Sequence, residues 1–362
     1  MKLATYRDGS RNGQLVVVSR DLSLAHYATG AAHTLQQALD DWSFIAPQLQ
    51  DLSLALNRGR APHPFAFDPA MCLAPLPRAS QCLRGAACAS HRDTVVVAGL
   101  LPCATTTVKA NAHSATAGAS RPGRAGGRAQ PDLLGLAGDA MQGALQPMPL
   151  ADEAQGLDFE AGLAAITADI PAASPPARAL EGVRLLMLAN TWCLRSLQAQ
   201  ELAAGVGAVQ SRPAQAFGPV AVTPDELGDA WTHGKVHLSL HTHWNGRRVG
   251  LCDVGDDMTL HLGQLLAQAA ATRALRAGAV LTTGPVSSPP SGGAAGSPGP
   301  DSQWPKGFHS ILEKRAMETL QTGQAQTAYL RWGDTVRIDL KGRDGGSPLG
   351  VLEQRVLEPD QD

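Results

Sequence analysis

The sequence predicts an α+β fold in which strands dominate, and three stretches carry that reading. From 156 to 169 the residues alternate, with Leu157, Phe159, Ala161, Leu163 and Ala165 on one side of a strand. Asp158, Glu160, Gly162 and Ala164 fall on the other side, which sets a carboxylate among small residues and leaves room for a ligand. Residues 183–190 form a nearly continuous apolar run of the kind a buried strand needs. Residues 236–251 read as a hairpin, with Val236, Leu238, Leu240 and Thr242 inward and Asn245-Gly246 at the turn.

A chain of 362 residues can bury a large core and form more than one domain. Its formal net charge of -2 gives no sign of a nucleic-acid or anionic-membrane partner. No apolar run approaches the roughly 20 residues that span a bilayer. The N-terminus turns polar at Arg7-Asp8, too soon for a signal peptide. Cys72, Cys82, Cys88, Cys103, Cys193 and Cys252 form no Cys-x-x-Cys pair, so neither a zinc ribbon nor a disulfide framework is indicated. A soluble cytoplasmic protein is the expectation.

Residues 1–72 read as a small domain of their own. Asp8-Gly9 and Asn12-Gly13 are turn dipeptides, Leu15 to Val18 is a strand, and 34–42 and 47–57 are helical, with Gly59 closing the second. Leu73 to Arg78 is an extended linker, because each Pro biases its predecessor away from helix. The second domain is 73–362. Within it, Thr94-Val95-Val96-Val97 reads as a strand, but 104–131 is Ala, Thr, Ser, Gly and Arg without period. No aromatic residue occurs between Phe67 and Phe159, and no acidic one between Asp93 and Asp132. Two readings of 104–131 stand side by side: a disordered surface insertion and a disturbed coding sequence.

Ser174-Pro175-Pro176 reads as a helix start, with Ser as N-cap and Pro at the first helical position. Thr223-Pro224-Asp225-Glu226 reads as a capping box. Helical spacing over 258–276 puts Leu262, Leu265, Leu266 and Ala269 on one stripe. A Pro/Gly/Ser-rich loop at 285–305 precedes a helix at 312–321 ending near Gly323, and 335–340 is a late strand.

Several motifs occur in a set order: A-P-L-P-R-A from Ala74 to Ala79, D-F-E at Asp158 to Glu160, and L-x-N-x-W-x-x-R-x-x-Q from Leu188 to Gln198. F-x-P-V-A-V-T-P-D-E-L from Phe217, W-P-K-G from Trp304 and G-D-T-V-R-I from Gly333 follow. This order resembles the fumarylacetoacetate hydrolase family, especially its bacterial two-domain members, over nearly all of the chain except the middle. The resemblance implies a mixed β-sandwich or roll catalytic domain behind a small α+β domain, and a homodimer. It also implies hydrolysis of a C–C bond in a β-diketone such as fumarylacetoacetate or an acylpyruvate, as in tyrosine breakdown. In such enzymes Mg2+ or Ca2+ chelates the dicarbonyl acid, a His activates water, and Lys, Arg and Gln steady the developing charge.

Carried over residue by residue, the resemblance places His91, in Ser90-His91-Arg92-Asp93, at the general base. Arg195 and Gln198 stand at the oxyanion donors, and Arg212 stands where the family has Lys. Glu160 is the retained metal carboxylate, while Arg84, Gly162 and Thr191 occupy the other ligand positions. The family's substrate-binding Thr becomes Pro285, which has neither a hydroxyl nor an amide donor. One carboxylate does not hold Mg2+ against water. The alternative function is therefore an impaired member keeping the fold and an anion-binding pocket. Carboxylates restored together at 84, 162 and 191 are expected to recover the metal where the fold holds the family's geometry. His237, His241 and His243 share a strand face, but i to i+4 spans roughly 13 Å, so they read as a solvated face.

Overall fold

A computed structural model describes residues 1–100, 133–139, 141–292 and 298–359. Cys103 and the stretch 104–131 lie outside the described residues. Seven α-helices are described: α1 (Leu35–Asp40), α2 (Trp42–Asn57), α3 (Ala89–Val97), α4 (Pro176–Leu180), α5 (Arg195–Ala204), α6 (Leu262–Ala269) and α7 (Ile311–Thr322).

Two sheets form the body of this mostly-β, α+β molecule. Among the described residues the larger has twelve strands. Its main path begins with Phe65–Ala66, Leu24–Tyr27, Gln14–Val18, Lys2–Tyr6 and Ala221–Val222. It continues through Val183–Thr191, Ala161–Thr167, Ala279–Thr282, Gln81–Arg84 and Leu134–Leu136. The smaller sheet orders Arg247–Asp253, Ser239–Trp244, Thr335–Lys341, Val351–Leu357 and Met148–Pro149. Its hairpin turns at Asn245 and Gly246, whose φ values of 51° and 74° are the left-handed pair that a two-residue turn requires.

The strands Ala161–Thr167 and Val183–Thr191 sit between two cores. They pair antiparallel, Leu163 opposite Leu188 and Ala165 opposite Leu186. Those four residues face the smaller sheet, sharing a core with Leu240, Ile338, Leu340 and Leu352. Ala164, Ile166, Leu185 and Met187 face the other way and pack with Leu35, Leu39, Ile45 and Leu49 of α1 and α2. Burial on both faces explains the near-continuous apolar reading of 183–190. Each fully buried Leu or Ile here contributes about 1.5–3 kcal/mol, so this pair is a rigid base for whatever its ends carry.

Several local readings are corrected. Thr94 to Val97 is not a strand but the end of α3. Packing overrides β-propensity there, because Val95 lies against Leu312 and Ala316 of α7. Asp257 also caps α3 from outside, accepting from the Ser90 amide at 3.0 Å and its hydroxyl at 2.7 Å. Ser174 does not cap α4; Pro175 holds that position, and the Ser174 hydroxyl donates to the Pro171 carbonyl at 2.7 Å. The capping box at Thr223 does not form, because its hydroxyl accepts from the Met1 amino group at 2.7 Å. The helix expected over 258–276 is only α6, since Leu275 is extended and bridges Ile170. The 156–169 strand is interrupted at Phe159 and Glu160: Leu157–Asp158 pairs with Cys193–Leu194, while Glu160 bridges Ser310.

One buried group makes stability sensitive to acid. His309 lies between the Thr242 hydroxyl, 2.8 Å from Nδ1, and the Cys252 thiol, 3.0 Å from Nε2. Burial lowers its pKa from 6.5 to about 4, against a smaller opposing pull from Glu313. The unfolded chain therefore takes up this proton first. Stability is whole above pH 6.5 and is lost as pH falls toward 4, by roughly 3 kcal/mol for this group. Denaturant midpoints across that range check it, and His309→Gln is expected to flatten the slope. An unchanged slope in that variant would assign the acid sensitivity elsewhere.

Candidate functional site

Glu160 sits where the interrupted strand turns into Ala161–Thr167, and its side chain is fully enclosed. Three arginines, from a strand end, a helix start and a loop, converge on it. Arg84, at the end of Gln81–Arg84, is held by parallel pairing with Ala279–Thr282 and places Nε 2.5 Å from Glu160 Oε2. Arg195 opens α5 and donates from Nη2 to Glu160 Oε1 at 2.9 Å. Arg212 donates from Nη2 to Oε1 at 2.9 Å, and its Nη1 lies 2.9 Å from Oε2 as an ion pair without hydrogen-bond geometry. Burial opposes the charge of Glu160, but Arg212, Arg84 and Arg195 together hold its carboxyl well below the usual range.

Asp158 ties this cluster to α7. It accepts from Arg195 Nε at 2.9 Å and Nη2 at 2.7 Å, and from the amides of Ile311 at 2.6 Å and Leu312 at 3.0 Å. A carboxylate at that helix end meets unpaired amides and the positive end of the dipole. Gln198, one turn into α5, accepts from Arg195 Nη1 at 2.8 Å. The structure thus brings Glu160, Arg195, Arg212 and Gln198 into one hydrogen-bonded group.

His91 belongs to a neighbouring pair. Carried by α3 and buried, its Nδ1 lies 3.6 Å from Oε2 of Glu313 on α7, and Ser287 donates to the other Glu313 oxygen. Glu313 is a residue that the sequence reading missed. Its signal was Ser310-x-x-Glu313 at a helix start, which reads as a cap. Ser310 does accept from the Glu313 amide at 3.2 Å, but the Glu313 carboxylate turns away to Ser287 and His91.

Beside Arg195 and Gln198 opens a cavity of about 480 Å³, also lined by Leu100, Leu202, Arg315 and Tyr329. The Arg315 guanidinium stacks 4.7 Å over the Tyr329 ring. The cavity pairs cationic donors with an apolar wall, a combination suited to an organic carboxylate.

The residues around Glu160 do not fit a divalent cation. Both carboxylate oxygens are occupied by guanidinium groups, and Arg84 brings positive charge to one of them. The sequence suggested room at Gly162, but the structure fills it. A Cβ there would collide with the Gly284 carbonyl and lie 2.7 Å from the Thr283 hydroxyl. Gly284 itself has φ +73°, the left-handed region, and is closed in by the Gly85 carbonyl. Elsewhere, His237 lies before Ser239–Trp244 and its Nδ1 is 3.4 Å from Asp253 Oδ1. Its ligand atoms and those of Asp253 and Asp256 lie within 4.8 Å, but Asp256 already meets Lys306 at 3.2 Å. The His241 and His243 rings are 6.5 Å apart.

No curated protein sequence matches the chain significantly. Solved structures do. The fumarylacetoacetate hydrolase of Exiguobacterium antarcticum is 19% identical with a TM-score of 0.60, over 99% of this chain and 100% of that one. Maleylpyruvate hydrolase from Sphingobium sp. SYK-6, solved in complex with manganese(II) ion and pyruvate, is 14% identical with a TM-score of 0.59 over the same shares. A 5-carboxymethyl-2-hydroxymuconate delta-isomerase from Mycobacterium smegmatis is 16% identical with a TM-score of 0.55 over the whole of both chains. These likenesses establish the fold, shared by hydrolases and an isomerase. Residues 1–78 match the fumarylacetoacetase N-terminal domain 2, and residues 103–357, well over half of the chain, match the fumarylacetoacetate (FAA) hydrolase C-terminal domain. The chain belongs to the fumarylacetoacetate hydrolase family.

Proposed function

We propose that this chain binds a small oxo-acid without a divalent cation and has lost the metal-dependent C–C bond hydrolysis expected from its motifs. The observation that carries the reading is the trio Arg84, Arg195 and Arg212 on both oxygens of Glu160. A hard cation needs oxygen ligands, and this centre offers guanidinium nitrogens instead. What remains beside the apolar-walled cavity is positive charge, carried by Arg195 and Arg315. The manganese and pyruvate bound by the maleylpyruvate hydrolase support an oxo-acid as the ligand class, with the cation's part dropped.

Calorimetric titration with magnesium, calcium and manganese is the test. No saturable binding is expected at millimolar ion, and turnover of an acylpyruvate or fumarylacetoacetate stays at background with or without chelator. Metal-dependent turnover abolished by a chelator would overturn the proposal. A second reading, metal-free hydrolysis, is favoured by the buried His91, whose Nδ1 lies 3.6 Å from Glu313 Oε2, just beyond hydrogen-bond reach of a carboxylate that could orient it as a base. Chelator-insensitive turnover that disappears in His91→Ala would select that second reading.

A further inference from the structure

Among the described residues, Arg84 offers donors that meet no partner. Its Nε is committed to Glu160, but its two terminal amino groups have no hydrogen-bond partner among the described residues. The side chain is not sealed in, being 14% exposed. Arg195, by contrast, directs Nε, Nη1 and Nη2 at Asp158, Gln198 and Glu160.

The local charge is unbalanced in the same direction. Among the described residues, Arg84, Arg195 and Arg212 face two carboxylates, Asp158 and Glu160, which leaves one positive charge. Arg212 also has donors without a hydrogen-bond partner, Nε and Nη1, but they are enclosed, so Arg84 is the member of the trio whose spare donors reach the surface. Burial lowers its pKa, with repulsion from Arg212 and Arg195 adding to the effect against the pull of Glu160. Arg195 and Arg212 are shifted upward instead: burial opposes their charge, but Cys193 and the carboxylates outweigh it. An uncompensated charge in a largely desolvated site is costly, and an anion arriving there removes the cost.

We propose that the free edge of Arg84 is the seat of the ligand's carboxylate and that the ligand carries a single negative charge. Two parallel N–H donors on a planar guanidinium match one carboxylate, and one negative charge completes the balance. A dicarboxylate leaves the site negative. The inference rests on the oxo-acid reading above and names the residue that takes over the role of the positive centre.

The test is calorimetric titration of the full chain, in chelator, with pyruvate, acetate and oxalate. Wild type is expected to bind pyruvate and acetate more tightly than oxalate. Arg84→Gln should weaken pyruvate binding about tenfold or more, with the melting midpoint held or raised because the excess charge is gone. Arg84→Lys, which keeps the charge but loses the fork, should fall between the two. Equal pyruvate affinity in wild type and Arg84→Gln would overturn the inference while leaving the oxo-acid reading intact. If wild type binds none of the three, both fail together. Tighter binding of oxalate would overturn the charge balance. If Arg84→Gln does not fold, Arg84→Lys decides, and wild-type affinity in it would overturn the role of the fork.

Discussion

Glu160→Ala is expected to destabilise the protein by about 3–5 kcal/mol, the cost of stranding buried charges when one member of a buried ion-pair group is removed. Three guanidinium groups would lose their common acceptor at once, and two of them, Arg195 and Arg212, are buried. The readout is a fall in the denaturant midpoint with the slope preserved. Adding Arg84→Ala should recover part of the loss, because deleting both partners of a pair leaves less charge unmatched. A Glu160→Ala protein within about 1 kcal/mol of wild type, a small share of the expected cost, would show that the arginines find other acceptors.

Gly162→Glu should be as damaging, and for a steric reason first. The first side-chain atom already collides with the Gly284 carbonyl, before any carboxylate is accommodated. Overpacking costs about 1–3 kcal/mol, and burying an unpaired carboxylate adds several more. Gly162→Ala isolates the steric part and should show the smaller loss, read as a drop in melting midpoint. Combining Gly162→Glu with Arg84→Asp and Thr191→Asp, which on motif grounds rebuilds a metal site, is expected to give poorly folded protein that does not bind manganese. A stable triple variant with saturable manganese binding would show that the 283–284 backbone yields.

Much of the frame was legible in the sequence because it depends on local pattern. Leu15 to Val18, the run ending at Asn190, the Asn245-Gly246 hairpin and the helix closing at Gly323 all combine a clear period with a turn or cap residue. What failed depended on partners far away in the chain. The β-branched run at Thr94 to Val97 is helical because α7 lies against Val95. Thr223 does not cap its helix; its hydroxyl meets the Met1 amino group instead. In the site, the motifs located Glu160, Arg195, Gln198 and Arg212, yet they could not show that Glu160 faces only guanidinium groups. Glu313 was hidden for another reason: its position in a helix's first turn has an ordinary local explanation, and only the fold reveals His91 beside it.

The closeness of Gly162 to the Gly284 carbonyl also bears on how such a chain can change over generations. A carboxylate at 162 and the present path of 283–284 exclude each other. A side chain cannot enter at 162 while the backbone stays, and the backbone gains nothing by moving while 162 is glycine. Single substitutions from here toward a two-glutamate strand therefore pass through a poorly folded intermediate. The arrangement acts as a ratchet against rebuilding, one residue at a time, the site its motifs resemble.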